Sequence, residues 1–304
     1  MDRAIRIHQN LIARPQLPKQ QRNEALLALG QDYLRAGVLD RAERLFLELT
    51  ESGDDYTEIA FHHLLDIYQQ QKQWDAAIAI ANKIVANNET VKRYIAHYYC
   101  ELAEEAQRQE QAEQARNYLK QALTTDPKCA RASLLQGESE LKAAKFKAAV
   151  EAFRQVEQQD PDFLPEIIVP LTQCYLQLGE EKELFHYLES CLQTSPQISL
   201  VLALADLIER SQGNGAAAEY ITSQLRQRPS LRGLQRLIAI QLKTVENGAK
   251  ENLLILQDLV AKLLKNKPIY RCISCGFSSK ILHWFCPGCK NWSSGRPIQG
   301  VEGE

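Results

Sequence analysis

Near the C-terminal end, Cys272, Cys275, Cys286 and Cys289 form two Cys-x2-Cys pairs with ten residues between the pairs. Two such pairs supply four thiolates from two tight turns, enough to close a tetrahedron around one soft metal ion. Four sulfurs suit zinc and a single iron equally. Gly276 and Gly288 are expected to give the turns their backbone freedom, with turn amides pointing at the sulfurs. A lone Cys-x2-Cys also suits thiol exchange, but two pairs at matched spacing, with Pro287 inside the second, favour a metal. His283 lies between the pairs and is expected to be structural, since four ligands are already present. A module this small cannot bury a core by itself. Its aromatic residues Trp284, Phe285 and Trp292 are therefore expected either to pack over the metal or to dock on whatever precedes it, with Trp284 or Phe285 packing against helices.

What precedes it is a repeat. A small residue recurs at Ala4, Ala42, Ala77, Ala115, Ala149, Leu184 and Ala218, at spacings of 38, 35, 38, 34, 35 and 34. Around these anchors the tetratricopeptide pattern returns. Leu26, Leu29, Gly30 and Tyr33 precede Gly37, Ala42 and Phe46; Gly137 precedes Ala149, Phe153 and Pro161. Small residues are needed where paired helices cross closely, and aromatic residues fill the gaps between pairs. Pro165 and Pro170 predict a shortened first turn or a kink. Leu231–Val245 and Glu251–Lys265 read as one more pair, joined at Asn247-Gly248. The fold class is all-α: a tetratricopeptide-repeat superhelix over residues 1–266, then a small rubredoxin-like or zinc-ribbon knuckle over residues 267–304. The opening stretch Asp2–Ile7 matches the second helix of a pair, so the natural chain is expected to continue upstream.

The chain of 304 residues is 45% hydrophobic with a formal net charge of −2, which offers no bulk attraction for nucleic acid. The remaining cysteines, Cys100, Cys129, Cys174 and Cys191, fall at apolar helical positions, so a reducing compartment fits better than a disulfide framework. No apolar run approaches the ~18 residues of a membrane span, and the chain as given is expected to be soluble. No phosphate-binding glycine loop, His-Glu-x-x-His or Gly-x-Ser-x-Gly is present, so no enzyme is expected. Repeat arrays grip partners on the face lined by their first helices. Counting along each unit, that groove should include Gln31, Leu34, His62, Asp66, Gln69, Arg131, Glu138 and Gln173.

The tail Tyr270-Arg-Cys272-x2-Cys275-Gly-Phe277, with Leu282-x-Trp284-x-Cys286-Pro-x-Cys289 and Trp292, resembles the rubredoxin-type module of the lipopolysaccharide assembly protein B family. Asp2–His8 and Ala96–Ala103 resemble the repeats of the same family, and the likeness spans essentially the whole chain. The resemblance implies a cytoplasmic array tethered to the inner membrane by an N-terminal helix that this sequence lacks. It implies a proteolysis adaptor that brings the lipid A pathway zinc deacetylase to a membrane-bound ATP-dependent zinc metalloprotease, restrained by an inner-membrane regulatory protein. The four cysteines carry over as ligands of one iron or zinc ion; partner-contacting residues do not carry over. A homodimer stays open. Two other readings are a nucleic-acid-binding repeat protein with a zinc ribbon, favoured weakly by Lys262, Lys265, Lys267 and Arg271, and a rubredoxin-type iron electron carrier.

Overall fold

A computed structural model describes residues 2–53, 55–84, 88–245 and 247–304, with the backbone alone at 247 and 248. Its described helices are α1 (Asp2–Ile12), α2 (Lys19–Arg35), α3 (Leu39–Thr50), α4 (Tyr56–Gln71), α5 (Trp74–Ile84), α6 (Glu89–Arg108) and α7 (Ala112–Thr125). They continue with α8 (Ala130–Lys142), α9 (Phe146–Gln159), α10 (Leu164–Leu178), α11 (Glu181–Thr194), α12 (Ile198–Gln212), α13 (Asn214–Gln227), α14 (Leu231–Gln241) and α15 (Asn247–Lys265). Within each unit consecutive helices pack on one another, α1 to α7 in the first and α8 to α15 in the second, and His8 Nδ1 on α1 is 2.8 Å from Asp32 on α2. The chain resolves into two compact units, residues 1–127 and 128–304, and the second holds both the later hairpins and the cysteine module.

One local device makes five of the hairpins. The first helix of a pair ends on a left-handed residue: Gly37, Lys72, Glu110, Ala144 and Gly179 all have φ between 56° and 74°. Behind it, an amide reaches back to the last turn, as in Val38 N to Tyr33 O, Gln73 N to Tyr68 O, Lys145 N to Glu140 O and Glu180 N to Tyr175 O. These bonds satisfy carbonyls that the helix end would leave bare. Four residues into each second helix stands a fully buried small or apolar residue: Ala42, Ala77, Ala115, Ala149, Leu184 and Ala217. The last differs from the sequence expectation by one position. Ala218 is only half-buried, while Ala217 N donates to Gly213 O as its counterparts do at their own turns.

Helix pairs touch closely because glycine faces an aromatic ring. A Cβ on Gly30 would come within 2.6 Å of the Phe46 ring, and one on Gly137 within 2.4 Å of Phe153. Both pairs are sixteen residues apart, so they are the same contact in two repeats.

The expected irregularity near Pro165 takes a specific form. A 3-10 turn at Pro161–Phe163, capped by Asp160, feeds α10, with Pro165 in its first turn. Pro170 lies inside α10 without ending it. Asn247-Gly248, expected as a turn, instead opens α15.

The left-handed Ala144 has a Cβ that its conformation disfavours, by roughly 1 kcal/mol. Ala144→Gly is therefore expected to raise stability by about that amount in urea melts, with no change in helix content. Gly137→Ala is expected to cost about 1–3 kcal/mol, because Phe153 must move to admit the methyl group.

Candidate metal centre and its docking surface

Three short strands carry the cysteines: β1 (Tyr270–Cys272), β2 (Ser278–Ser279) and β3 (Gly295–Pro297), in the antiparallel order β2-β1-β3. Each Cys-x2-Cys pair folds into the same knuckle. In the first, Cys272 N donates to Phe277 O and Gly276 N to Cys272 O; in the second, Cys286 N donates to Asn291 O and Lys290 N to Cys286 O. The left-handed residue closing the two knuckles is Gly276 in one and Lys290 in the other, at φ 79° and 61°. Gly288, expected to serve that purpose, does something else. A Cβ there would stand 3.2 Å from Cys275 Sγ, so glycine leaves room for the sulfur.

The four Sγ atoms lie within 4.8 Å of one another. Cys272 and Cys289 are 3.7 Å apart, and Cys275 and Cys286 are 3.6 Å apart. A tetrahedron with metal–sulfur bonds of ~2.3 Å has edges of ~3.8 Å. The cage therefore fits one four-coordinate ion. Among the described residues this is the sole group of three or more candidate ligands gathered closely enough for a metal. His283 lies outside it: its Nε2 is 3.2 Å from Ser279 Oγ and its ring meets Phe277 edge-on.

The thiols are unequal before any cation arrives. Burial works against the Cys272 thiolate, but hydrogen bonds from the Ser294 side chain and the amides of Cys275 and Ser274 outweigh it and pull the thiol down to about 6. At Cys275 an amide bond from Phe277 favours the thiolate, yet burial and the three crowding thiols hold it up at about 11. One anion forms readily, and the rest need a positive charge among them.

The module is fastened to the hairpins of its own unit through mixed contacts. Trp284 packs into the core built by α9, α10, α11 and α12, with its ring 4.6 Å from that of Phe163. Arg296 stacks over the other part of that contact, 4.7 Å from the Phe163 ring, and pairs with Asp160 at 2.8 Å. Tyr270 donates to Glu166 Oε1 at 2.6 Å. The tail closes the ring: Leu231 N donates to Val301 O, and Glu304 accepts from Arg232 and from Ser199 N and Oγ at the first turn of α12. A carboxylate at a helix N-terminus is favoured by the exposed amides there. Phe285 behaves differently from Trp284, lying 4.7 Å from Trp292 inside the module.

Arg131, placed by the repeat count in the partner groove, is only 3% exposed and sits about equally close, at 6.0 and 5.9 Å, to the Trp284 and Trp292 rings. Periodicity gives its helical face but not the module that covers it. Within its own unit, Glu138 is half-buried and Gln173 is exposed. In the first unit, His62 and Asp66 are exposed, while Leu34 is half-buried. Gln31 Nε2 is 3.1 Å from His63 Nε2, and Gln69 Nε2 donates to Leu65 O. Burial lowers the His63 pKa, and desolvation raises that of Asp66.

Comparison with known proteins agrees with this architecture. The tetratricopeptide repeat model matches residues 27–91 and 100–162, and the rubredoxin metal binding domain model matches residues 270–297. Lipopolysaccharide assembly protein B of Escherichia coli strain K12 is 38% identical over all of this chain and 78% of its own length. The chain belongs to the lipopolysaccharide assembly protein B family. The Haemophilus influenzae member is 34% identical over 99% of the chain and 76% of its own length. In this member of the family, the repeats and the four-cysteine knuckle are one packed arrangement over residues 128–304. No helix among the described residues is long and apolar enough to cross a membrane.

Burial holds the Glu166 carboxyl above its ordinary range; the Tyr270 bond and Arg232 oppose this, and Glu304 adds to it. The folded chain thus binds this proton more tightly than the unfolded one, so this group's contribution to stability rises as pH falls through the folded pKa. Glu166→Gln keeps an acceptor for Tyr270 and removes that slope, and is expected to be neutral or stabilising in urea melts at neutral pH. Glu166→Ala strands the Tyr270 hydroxyl and is expected to cost about 1–3 kcal/mol.

Proposed function

We propose that the chain is a non-enzymatic adaptor in lipopolysaccharide assembly, as the name of its relatives suggests. The observation that carries this reading is the fastening of the cysteine module to α8–α12 through Trp284, Arg296, Tyr270 and Glu304. A knob held on so many sides acts as part of a scaffold that presents binding surfaces. In this reading residues 1–266 form the partner-holding array, and residues 267–304 are the staple that sets its geometry. Cys272, Cys275, Cys286 and Cys289 hold one iron or zinc ion, which supplies the positive charge that lets four adjacent thiolates coexist.

The partners proposed are the membrane-bound ATP-dependent zinc metalloprotease and the lipid A pathway deacetylase delivered to it, with an inner-membrane protein as regulator. Attachment through an N-terminal helix would keep the array on the cytoplasmic side of the inner membrane. Holding substrate beside the protease raises its local concentration to the millimolar range typical of short tethers. Gln31, Leu34, His62, Asp66 and Gln69 on α2 and α4 are proposed as one contact surface, with Glu138 and Gln173 contributing a second within their own unit. Arg131 is better assigned to module docking.

A second reading, a rubredoxin-type iron electron carrier, is favoured by one observation: Cys275 is exposed, which gives an electron a short path to the surface. An absorption spectrum of protein purified without added metal separates the two, since only iron gives a colour that bleaches reversibly on reduction.

The adaptor reading is tested in cells with the full-length protein carrying Cys272→Ser and Cys275→Ser. Metal content is expected to fall to background and the deacetylase half-life to lengthen several-fold. A variant that is metal-free and folded, yet leaves deacetylase turnover unchanged, would remove the role given to the module.

A further inference from the structure

The last helix, α15, carries more apolar residues than one buried stripe uses, beside a polar strip that holds Glu251, Asp258 and Lys262. Only part of it is covered here. Val260 is buried, and Leu253, Gln257, Ala261 and Leu264 are half-buried, a stripe at helical spacing on the helix that lies against α14. A second stripe, Ile255, Leu256, Leu259 and Leu263, is left in solvent, and with Leu254 these side chains are 48% to 56% exposed. Elsewhere among the described helices, large exposed apolar residues occur one to a helix, as at Ile7, Leu47, Ile59, Val169 and Leu234. Repeat arrays ordinarily end on a helix with a polar outer face. The polypeptide after α15 supplies no such cover, because the cysteine module folds back onto α9–α12.

We propose that this stripe is a dimerisation surface on which a second copy of the chain lays its own α15 antiparallel, about a two-fold axis through Leu259. The stripe is self-complementary, as an isologous contact requires. Four residues to either side of Leu259 stand Ile255 and Leu263, both apolar and both exposed, so the axis carries each onto the other in the copy. The charges point the same way. Glu251 lies near one end of the helix, and Lys265 near the other. An antiparallel partner brings the acid alongside the opposite lysine, whereas a parallel one would set like beside like. The area is also adequate. Four half-exposed side chains of this size make an apolar patch on the order of 400 Å², and their polar rim extends it toward the ~800 Å² per partner of a standard interface. A lipid surface is a poorer fit. Glu251 and Asp258 are exposed on the adjoining polar strip, and Lys262 is already paired with Asp258 at 2.6 Å. The proposal stands independently of the adaptor reading.

Sedimentation equilibrium of the 304-residue chain tests it, with a monomer mass of 34.5 kDa as the reference. The wild-type chain is expected to populate the dimer at micromolar concentration. Leu259→Lys, at an exposed position that the fold does not need, is expected to weaken dimerisation by about a hundredfold or more with an unchanged helical circular dichroism signal. On mild oxidation Leu259→Cys is expected to cross-link to its copy, while Asp258→Cys, on the polar strip, is not. A wild-type chain that stays monomeric, or a dimer indifferent to Leu259→Lys, overturns the proposal. So does a monomer that co-sediments with phosphatidylglycerol vesicles but not with phosphatidylcholine vesicles, because the face then belongs to a lipid surface.

Discussion

Four sulfurs cannot share a space of a few ångströms as anions unless a cation sits among them, and a module of about forty residues cannot bury a core. Both deficits belong to the cysteine module, and the second unit is arranged to meet them. The metal supplies the missing charge, and α8–α12 supply the missing core. Trp284 is where the two meet: it sits two residues before Cys286 and also packs against the helical core. Because that one short segment belongs to both, loss of metal is transmitted to the hairpins by covalent proximity, with no conformational relay required.

The polar contacts around this junction make the coupling costly to undo. Glu166, Asp160 and Glu304 each carry a negative charge that Tyr270, Arg296 or Arg232 satisfies. Had the module been held by apolar contact alone, its release would expose surface and little else. Here release also strands carboxylates and a hydroxyl in partly dehydrated positions, and an unmet buried polar group costs more than its bond contributes. The docking is therefore more specific than its area suggests. The module has one orientation in which all of these groups are met.

Much of the helical array is legible in the sequence, because its constraints are local. A glycine facing a phenylalanine sixteen residues later, and a buried small residue four positions into the next helix, recur with the period of the chain. The misplacement of Ala217 by one position shows the limit of this reading. Adjacent alanines at 216–218 offer three equivalent choices, and only the backbone bond to Gly213 decides among them. The knuckles show the same limit. Glycine is the visible candidate for left-handed geometry at both, yet at the second it is Lys290, an exposed residue with its ammonium 5.8 Å from the Phe285 ring, that adopts it. Arg131 was assigned to an open groove because periodicity names a face without naming its cover. That cover comes from residues more than 150 positions away in sequence.

The distribution of cover over the second unit follows from this geometry. One module, tied by Tyr270 at its first strand and by Glu304 at its last residue, can shield either the middle of the hairpin stack or its final helix, and it is fastened over the middle. Trp284 and Arg296 both converge on Phe163, just before α10, where Pro170 removes one of the helix's own hydrogen bonds. A proline inside a helix leaves the preceding turn short of a donor and mechanically soft. Clamping that turn from outside stiffens the part of the stack least able to stiffen itself. With the module engaged elsewhere, the apolar stripe from Ile255 to Leu263 on α15 stays exposed, and it is this face that the proposed dimer would cover.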